Sequence, residues 1–233
     1  MRLCSSPART GESERRSSNN SSAAGRRRYA AARDAGTIHA DGVEAISLDV
    51  TNPDDIAAAA ATATDVDLLI NNAGISTGTP LVSGDEAAIR REMDTNFYGP
   101  LLVTRAFAPI LESNGGGAIL NVVSALSWFT APGAGAYAAS KAAAWMLTDS
   151  TRLELAAQGT QVTAIHMGLV DTDMSQGMDA PKLSPAELAN AGLDAIESGE
   201  QEVLAGDWAK LVKSGLTLEP KQRYEQLFGT TGA

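Results

Sequence analysis

Apolar and polar positions along the chain follow two alternating periods, which together predict a series of strands and helices. Short apolar runs bounded by turn residues predict buried parallel strands at 29–32, 43–48, 66–70, 117–123, 161–166 and 201–205. Longer segments with one apolar face predict helices at 53–63, 86–112, 135–157, 184–197 and 207–214. Strands that alternate with helices are typical of a parallel sheet covered on both faces, so we expect one α/β domain.

The composition agrees with this fold class and argues against several others. The chain has 233 residues, of which 44% are hydrophobic, enough to bury a sizeable core. No apolar run approaches the roughly 20 residues that span a bilayer, so we expect no membrane segment. A single cysteine allows no internal disulfide, which suits a cytoplasmic location, and the net charge of −10 argues against a nucleic-acid partner.

The charge changes abruptly near residue 28. Residues 1–28 contain seven arginines and two glutamates, a net charge of +5, so residues 29–233 carry −15 if the whole chain carries −10. Residues 9–22 show neither helical nor strand periodicity and few apolar positions, which predicts disorder. We therefore divide the chain into an aberrant, disordered head, residues 1–28, and a folded domain, residues 29–233.

Tyr137, Lys141 and Ser124 form the candidate reactive group. In a helix, Tyr137 and Lys141 are i and i+4 neighbours on one face, which places an ammonium near the phenol. A nearby positive charge favours the phenolate, so we expect the Tyr137 pKa to move down from about 10 toward working pH. Ser124 follows a predicted strand, and strand ends are where open α/β sheets place their chemistry. Together they predict proton transfer to or from the oxygen of a carbonyl or an alcohol.

Each of these residues also fits an ordinary structural role when it is taken singly. Tyr137 and Lys141 fit an exposed helical pair, and Ser124 fits a turn at a strand end. His166 lies in a predicted strand and is interpreted as a strand-end or core histidine. The sequence shows no metal-ligand cluster, so we expect no metal.

Taken in order, the motifs resemble those of the short-chain dehydrogenase/reductase family. The resemblance extends from about Tyr29 to at least Thr172. It consists of six matches in family order, namely Asp49-Val50, Asn71-Asn-Ala-Gly74, Asn96, Ser124, Tyr137 and Lys141. It implies a Rossmann-like doubly wound parallel sheet and an NAD(P)-dependent oxidoreductase that interconverts a carbonyl and an alcohol by hydride transfer.

The resemblance also implies roles for individual residues. Tyr137 is the general acid or base, Ser124 holds the substrate oxygen, and Asn96 holds a water that links Lys141 to solvent. Cofactor contacts are implied for Tyr137 and for Lys141, which would bind the nicotinamide ribose. Asp49 and Val50 would contact the adenine, Asn72, Ala73 and Gly74 would lie beside a ribose, and Thr172 would contact the nicotinamide carboxamide. The family usually has Pro-Gly before the last segment, where this chain has Met167-Gly168, a difference in the turn that precedes Thr172.

The choice between cofactors depends on the end of the second family strand. Arg33 offers a charged donor to a 2′-phosphate, which favours NADP(H) over NAD(H). Asp34 is the counter-evidence, because an acidic residue there would bind a ribose 2′-hydroxyl and repel the phosphate.

Residues 1–28 do not supply the first strand or the Thr-Gly-x-x-x-Gly-x-Gly loop of the family. We therefore expect both elements to be lost. Synonymous codons for Ser6 to Ser22, read one base earlier, can encode Val-Thr-Gly-Ala-Asn-Arg-Gly-Ile-Gly and a following helix, which favours a frameshift. A transit peptide and a natural basic tail are the alternatives, although neither explains the missing loop.

Two functions remain open from the sequence. One is an NADP(H)-dependent oxidoreductase acting on a small or medium apolar carbonyl or alcohol, assembled as a homodimer or homotetramer. The alternative is a non-catalytic, dehydrogenase-like binding protein, or an inactive frameshifted copy, without competent cofactor binding. Trp128 and Phe129 could line an apolar substrate pocket or belong to the core or an interface.

Overall fold

The computed structural model describes residues 27–229 and the backbone of residues 2–5. The strands within these residues are β1 Arg2–Ser5, β2 Tyr29–Ala32, β3 Glu44–Ser47, β4 Leu68–Asn71, β5 Ala118–Val122, β6 Gln161–Met167, β7 Leu169–Val170, β8 Lys182–Leu183 and β9 Glu202–Ala205. Seven of these described strands form one parallel sheet in the order β3-β2-β1-β4-β5-β6-β9. The expected doubly wound α/β class is confirmed.

Helices cover the faces of this sheet. The longer helices of the described chain are α1 Pro53–Thr62, α2 Glu86–Met93, α3 Gly99–Ser113, α4 Gly135–Glu154, α5 Pro185–Ser198, α6 Gly206–Ser214 and α7 Pro220–Phe228. Their starts follow local chemistry: Asn52 caps α1 ahead of Pro53, and Ser184 forms a capping box with Glu187 at α5. The sequence pattern predicted most of these helices within a few residues.

The predicted loss of the first strand is wrong. The backbone of Arg2–Ser5 lies between β2 and β4, with Leu3 paired to Tyr29 on one side and to Leu69 on the other. A parallel strand in this place satisfies backbone groups of both neighbours, which would otherwise be buried without partners. Residues 2–5 therefore belong to the sheet. The glycine-loop loss and the disorder predicted for residues 6–26 lie outside the described residues.

Two further elements differ from the sequence prediction. The helix expected over 86–112 is divided by a π-helical segment, Asp94–Tyr98, that separates α2 from α3. Helix α7 was not predicted at all, because its amphipathic face is short and its polar residues dominate the pattern. The small parallel pair of β7 and β8 was also missed, since two-residue strands leave no periodic signal.

The largest core cluster lies where the sheet packs against α1 and α3. Its fully buried side chains include Leu69, Phe107, Leu111 and Ile119. Among the described residues, no helix is long and apolar enough to cross a membrane, and no group of histidine, cysteine and acidic residues could hold a metal ion. The order of strands reverses between β1 and β4, and the crevice where such sheets bind ligands lies outside the carboxyl ends of these two strands.

Candidate active site

Helix α4 brings Tyr137 and Lys141 to the carboxyl end of β5. The Lys141 ammonium lies 5.7 Å from the centre of the Tyr137 ring, as the i, i+4 spacing predicts. Lys141 is buried, and its Nζ donates a hydrogen bond of 3.0 Å to the backbone oxygen of Val122, the last residue of β5. The lysine is thus held between the helix and the strand end.

Ser124 lies two residues beyond β5, at the same strand end as Tyr137 and Lys141. It caps a short 3₁₀ turn, Ala125–Ser127, and its hydroxyl accepts a hydrogen bond of 3.1 Å from the Leu126 amide. The Ser124 hydroxyl also hydrogen-bonds to the Tyr137 phenol, an interaction that favours the phenolate. The tertiary structure therefore brings together the three side chains that the sequence singled out.

Burial changes the expected protonation of this group. Burial raises the pKa of Tyr137 to about 12, the hydrogen bond with Ser124 opposes this rise, and the charge of Glu92 adds to it. Burial also lowers the pKa of Lys141 to about 8. The predicted fall in the Tyr137 pKa is therefore wrong for the free protein, because desolvation of the phenolate outweighs the hydrogen bond with Ser124.

Asn96 joins the loop after β4 to the helix that carries Tyr137. Its Oδ1 accepts a hydrogen bond of 2.8 Å from the Ile75 amide, and its Nδ2 donates to the Ile75 oxygen at 2.9 Å and to Ser140 Oγ at 2.8 Å. The Ser140 hydroxyl in turn donates to the backbone oxygen of Tyr137 at 2.8 Å. Asn96 lies in the π-helical segment, a feature that is frequent at functional sites.

Gly74 lies close to both Asn96 and Lys141. A Cβ atom on Gly74 would lie 3.3 Å from Asn96 Oδ1 and 3.5 Å from Lys141 Nζ. A cavity of about 10 Å³ lies beside the same groups, bordered by Asn71, Asn96, Asn121 and Lys141 among others. This volume is at the lower limit for one water molecule, and its polar lining suits one.

Glu92 is a buried acid that the sequence interpretation missed. It is fully buried on α2, one turn before Asn96. Its Oε1 accepts hydrogen bonds from the Thr77 amide and, at 2.6 Å, from the Thr77 hydroxyl, while Oε2 has no partner among the described residues. A glutamate on a helix face gives no sign of burial in sequence, since charged residues usually mark the solvent side.

The residues proposed for the adenosine end lie along the carboxyl ends of β2 and β3. Arg33 is exposed directly after β2. Asp34 caps its own turn, where its Oδ1 accepts a hydrogen bond of 2.9 Å from the Gly36 amide. Asp49 accepts hydrogen bonds from the amide and hydroxyl of Thr51, which lower its pKa. Val50 is buried in the core, where it packs against Gly99.

The remaining predicted contacts follow β4 and β6. Asn72, Ala73 and Gly74 are half-buried directly after β4, on the side of Lys141 and Asn96. Thr172 caps a short turn, Asp173–Ser175, beyond β7, and its hydroxyl is 3.4 Å from the Val170 oxygen. Thr172 thus lies at the start of the turn that follows β7.

An apolar cavity opens next to the amino end of α4. Its volume is about 410 Å³, within the usual range for small-molecule sites. It is lined by Pro80, Leu81, Thr130, Ala131, Pro132, Gly133, Gly135, Tyr224 and Phe228. Gly135 is two residues from Tyr137 on the same helix. Trp128 and Phe129 are not among the lining residues; both are buried in a core cluster against which the lining residue Tyr224 also packs.

Comparison with known proteins agrees with this fold. A family model described as short chain dehydrogenase matches residues 19–182. A 3-oxoacyl-[acyl-carrier-protein] reductase from Synechocystis is 32% identical over 187 residues, which are 77% of this chain and 76% of the relative. A crystal structure of a short chain dehydrogenase from Burkholderia cenocepacia in complex with NADP superposes with a TM-score of 0.87 at 35% identity, covering 97% of both chains.

The chain belongs to the short-chain dehydrogenase family. It spans a little over half the length of some curated relatives: 58% of an uncharacterized oxidoreductase from Staphylococcus saprophyticus and 51% of a short chain dehydrogenase from Monascus purpureus. The family assignment rests on the order of motifs and on the parallel sheet together.

Proposed function

We propose that this chain is an NADP(H)-dependent oxidoreductase that interconverts a carbonyl and a primary or secondary alcohol. The observation that carries the proposal is the meeting of Tyr137, Ser124 and Lys141 at the carboxyl end of β5. An apolar cavity of about 410 Å³ lies at the amino end of the helix that carries Tyr137. NADPH, when bound, supplies the hydride. The protein supplies the proton and the alignment of the substrate.

In the reduction direction, Tyr137 donates its proton to the carbonyl oxygen as hydride reaches the carbonyl carbon. A pKa of about 12 keeps the phenol protonated at neutral pH, which is the form that this step requires. The Ser124 hydroxyl orients the same oxygen. Lys141 uses one donor on Val122 and has further N–H groups that fit the hydroxyls of a nicotinamide ribose.

The proton lost by Tyr137 has to be replaced after each turnover. The cavity of about 10 Å³ between Asn96 and Lys141 supports a relay through one water, as proposed for Asn96. Both polar atoms of the Asn96 side chain are engaged with Ile75 and Ser140, so its side chain acts in this scheme by shaping the cavity.

A preference for NADP(H) is supported by the orientation of Asp34. Its carboxylate is turned into its own capping interaction with Gly36, while the neighbouring Arg33 is exposed at the strand end. In this arrangement the Arg33 guanidinium, and not the Asp34 carboxylate, is the group that would bind a 2′-phosphate. We retain Asp49, Val50, Asn72, Ala73, Gly74 and Thr172 as proposed cofactor contacts.

The lining of the large cavity supports a small or medium apolar substrate. The cavity wall is formed mainly by proline, leucine, alanine and aromatic side chains, with Tyr224 held in place by a 3.1 Å hydrogen bond from the Thr130 amide to its hydroxyl. Binding of a hydrocarbon or aromatic group against this lining is favourable, because it removes apolar surface from water.

We also propose a cytoplasmic homodimer or homotetramer. Tyr98, Met146 and Leu153 leave apolar surface exposed on the π-helical segment and on α4. Association of copies through this face would remove that surface from water.

Replacement of Tyr137 by phenylalanine tests the catalytic proposal. The substitution keeps the ring but removes the proton donor, so turnover should fall by about 10²–10⁴-fold with little change in melting temperature or NADPH affinity. Steady-state kinetics with aldehydes, ketones and alcohols measures the effect. A Tyr137→Phe protein with nearly normal turnover would rule out this mechanism.

A non-catalytic binding protein is the second candidate function. It is favoured by one observation, the lack of a Thr-Gly-x-x-x-Gly-x-Gly sequence in residues 6–28. The test compares NADPH titration of this chain with that of a version whose residues 6–22 read Val-Thr-Gly-Ala-Asn-Arg-Gly-Ile-Gly-Thr-Ala-Phe-Val-Glu-Gln-Leu-Leu. Tight binding only by the altered version favours the non-catalytic candidate, and equally tight binding by both favours the enzyme.

A further inference from the structure

His166 is a buried histidine directly behind Ser124. It lies on β6 with no exposed surface, and its Nδ1 is 3.1 Å from the Ser124 backbone oxygen and 3.1 Å from the Ser127 hydroxyl. The imidazole stacks on the Trp128 ring, with centres 3.8 Å apart and planes 15° apart. A histidine that only filled space would not need this alignment with the Ser124 carbonyl.

The partners of Nδ1 indicate which nitrogen carries the proton. A backbone carbonyl can only accept, so the contact with Ser124 requires a proton on Nδ1. Burial lowers the His166 pKa to about 4, which keeps the ring neutral and leaves Nε2 without a proton. Nε2 has no hydrogen-bond partner among the described residues.

An ion pair lies on the Nε2 side of the His166 imidazole. Glu202 on β9 lies 3.8 Å from Nε2 and pairs with Lys213 on α6 at 2.7 Å. Lys213 in turn lies 4.6 Å from the centre of the Trp128 ring and 5.8 Å from that of Trp145. The cation neutralises the carboxylate nearest to Nε2, so protonation of the ring is not favoured.

Ser124 is consequently restrained from three directions. Its carbonyl accepts a hydrogen bond of 2.7 Å from the Ser127 hydroxyl in addition to the contact with His166 Nδ1. Its hydroxyl accepts from the Leu126 amide and reaches the Tyr137 phenol. Any rotation of the Ser124 backbone would move the hydroxyl away from Tyr137.

We propose that His166 is a positioning residue for the reaction: its Nδ1–H holds the Ser124 carbonyl and thereby aims the Ser124 hydroxyl at the substrate oxygen. This role rests on the proposed function of Ser124. It does not require His166 to gain or lose a proton. Glu202 and Lys213, together with Asp149 on α4, are the charged groups that act on the imidazole, and they leave it neutral.

The kinetic test uses His166→Phe, His166→Asn and His166→Gln in the full chain. Phenylalanine keeps the stacking on Trp128 but removes the donor, so kcat should fall about tenfold with an unchanged KM for NADPH. Asparagine places an N–H group near the Nδ1 position and should retain kcat within about threefold. Glutamine places its amide toward the Nε2 position and should resemble phenylalanine.

A double-mutant cycle separates positioning from general stability. In a Ser124→Ala background, His166→Phe should cause no further loss of kcat, because the hydroxyl that it positions is gone. Equal losses in both backgrounds, or an active His166→Phe protein with unchanged kcat, would overturn the proposal. A Tyr137→Phe protein that retains turnover would instead overturn the proposed function, which keeps the two failures distinct.

A second measurement does not depend on activity. Imidazole ¹⁵N chemical shifts of the free chain between pH 5.5 and 8 should show one neutral tautomer with the proton on Nδ1. Should any His166 variant fail to fold, this spectrum of the unsubstituted protein decides the matter. A proton on Nε2, or titration of the ring within this range, would contradict the proposal.

Discussion

At the scale of single residues, the half-buried Tyr137 and the buried Lys141 show that the site is prepared at a cost. The chain holds a phenol and an amine away from water, and each one consequently favours its neutral form. Removing the Lys141 ammonium should therefore stabilise the folded protein while it damages catalysis. Such a trade between stability and function is common at active sites.

The stability effect of Lys141 should depend on pH. Its folded pKa of about 8 lies below the unfolded value of 10.5, so the cost of burying the ammonium is fully present below pH 8 and disappears as pH rises toward 10.5. Lys141→Met should thus raise the free energy of unfolding by at most about 3 kcal/mol at pH 7, and by less at pH 9.5. Urea unfolding at both pH values measures this, and a gain that does not shrink would show that the ammonium is well solvated.

Arg33 offers a direct test of cofactor preference. Arg33→Ala should weaken NADPH binding by about 10–100-fold and NADH binding much less, because only NADPH carries a phosphate for the guanidinium. Fluorescence titration of both cofactors provides the comparison. Arg90→Ala, at an exposed arginine that pairs with Glu86 on the same helix, serves as the matched control and should change neither affinity. Equal losses for the two cofactors would remove the main support for NADP(H).

At the scale of elements, the π-helical segment and α2 act together on the loop after β4. Asn96 holds Ile75, and Glu92, one turn earlier, holds Thr77. The same loop reaches α4, where the Ala136 amide donates to the Thr79 oxygen at 3.2 Å. The loop that borders Lys141 is therefore tied to the helix of Tyr137 by buried polar groups.

Glu92 variants test this connection. Glu92→Gln keeps an acceptor for Thr77, whereas Glu92→Leu removes it, so only the leucine variant should lose amide-exchange protection at Thr77. In the glutamine variant, loss of the negative charge should also lower the Tyr137 pKa, because Glu92 raises it. Hydrogen exchange and the alkaline limb of the pH–rate profile measure the two effects. Similar exchange in both variants would show that the loop does not depend on this acceptor.

At the scale of the whole molecule, β1 decides whether the sheet is continuous. It pairs with both β2 and β4, and so joins the side of the sheet that carries Arg33 to the side that carries Tyr137 and Lys141. The proposed cofactor contacts lie on both sides of this strand. Continuity of the sheet is thus a requirement for the proposed function.

A proline in β1 tests this requirement. Leu3→Pro removes a backbone N–H from a strand that is paired on both sides, so it should destabilise the fold by about 3 kcal/mol or more. Leu3→Val keeps the N–H and is the matched control. Thermal and urea unfolding compare the two, and an equal stability would mean that residues 2–5 do not hold the two halves of the sheet together.

The sequence by itself determined the parallel α/β class, most element positions, and the grouping of Ser124, Tyr137 and Lys141. These features depend on local periodicity and spacing: Tyr137 and Lys141 are neighbours in any helix, and Ser124 follows an apolar strand wherever that strand packs. Only the tertiary structure decided the place of β1, the direction of the Tyr137 pKa shift, and the contacts of Glu92 and His166. Each depends on groups distant in the chain and on the removal of water around them, which a local pattern of residues does not contain.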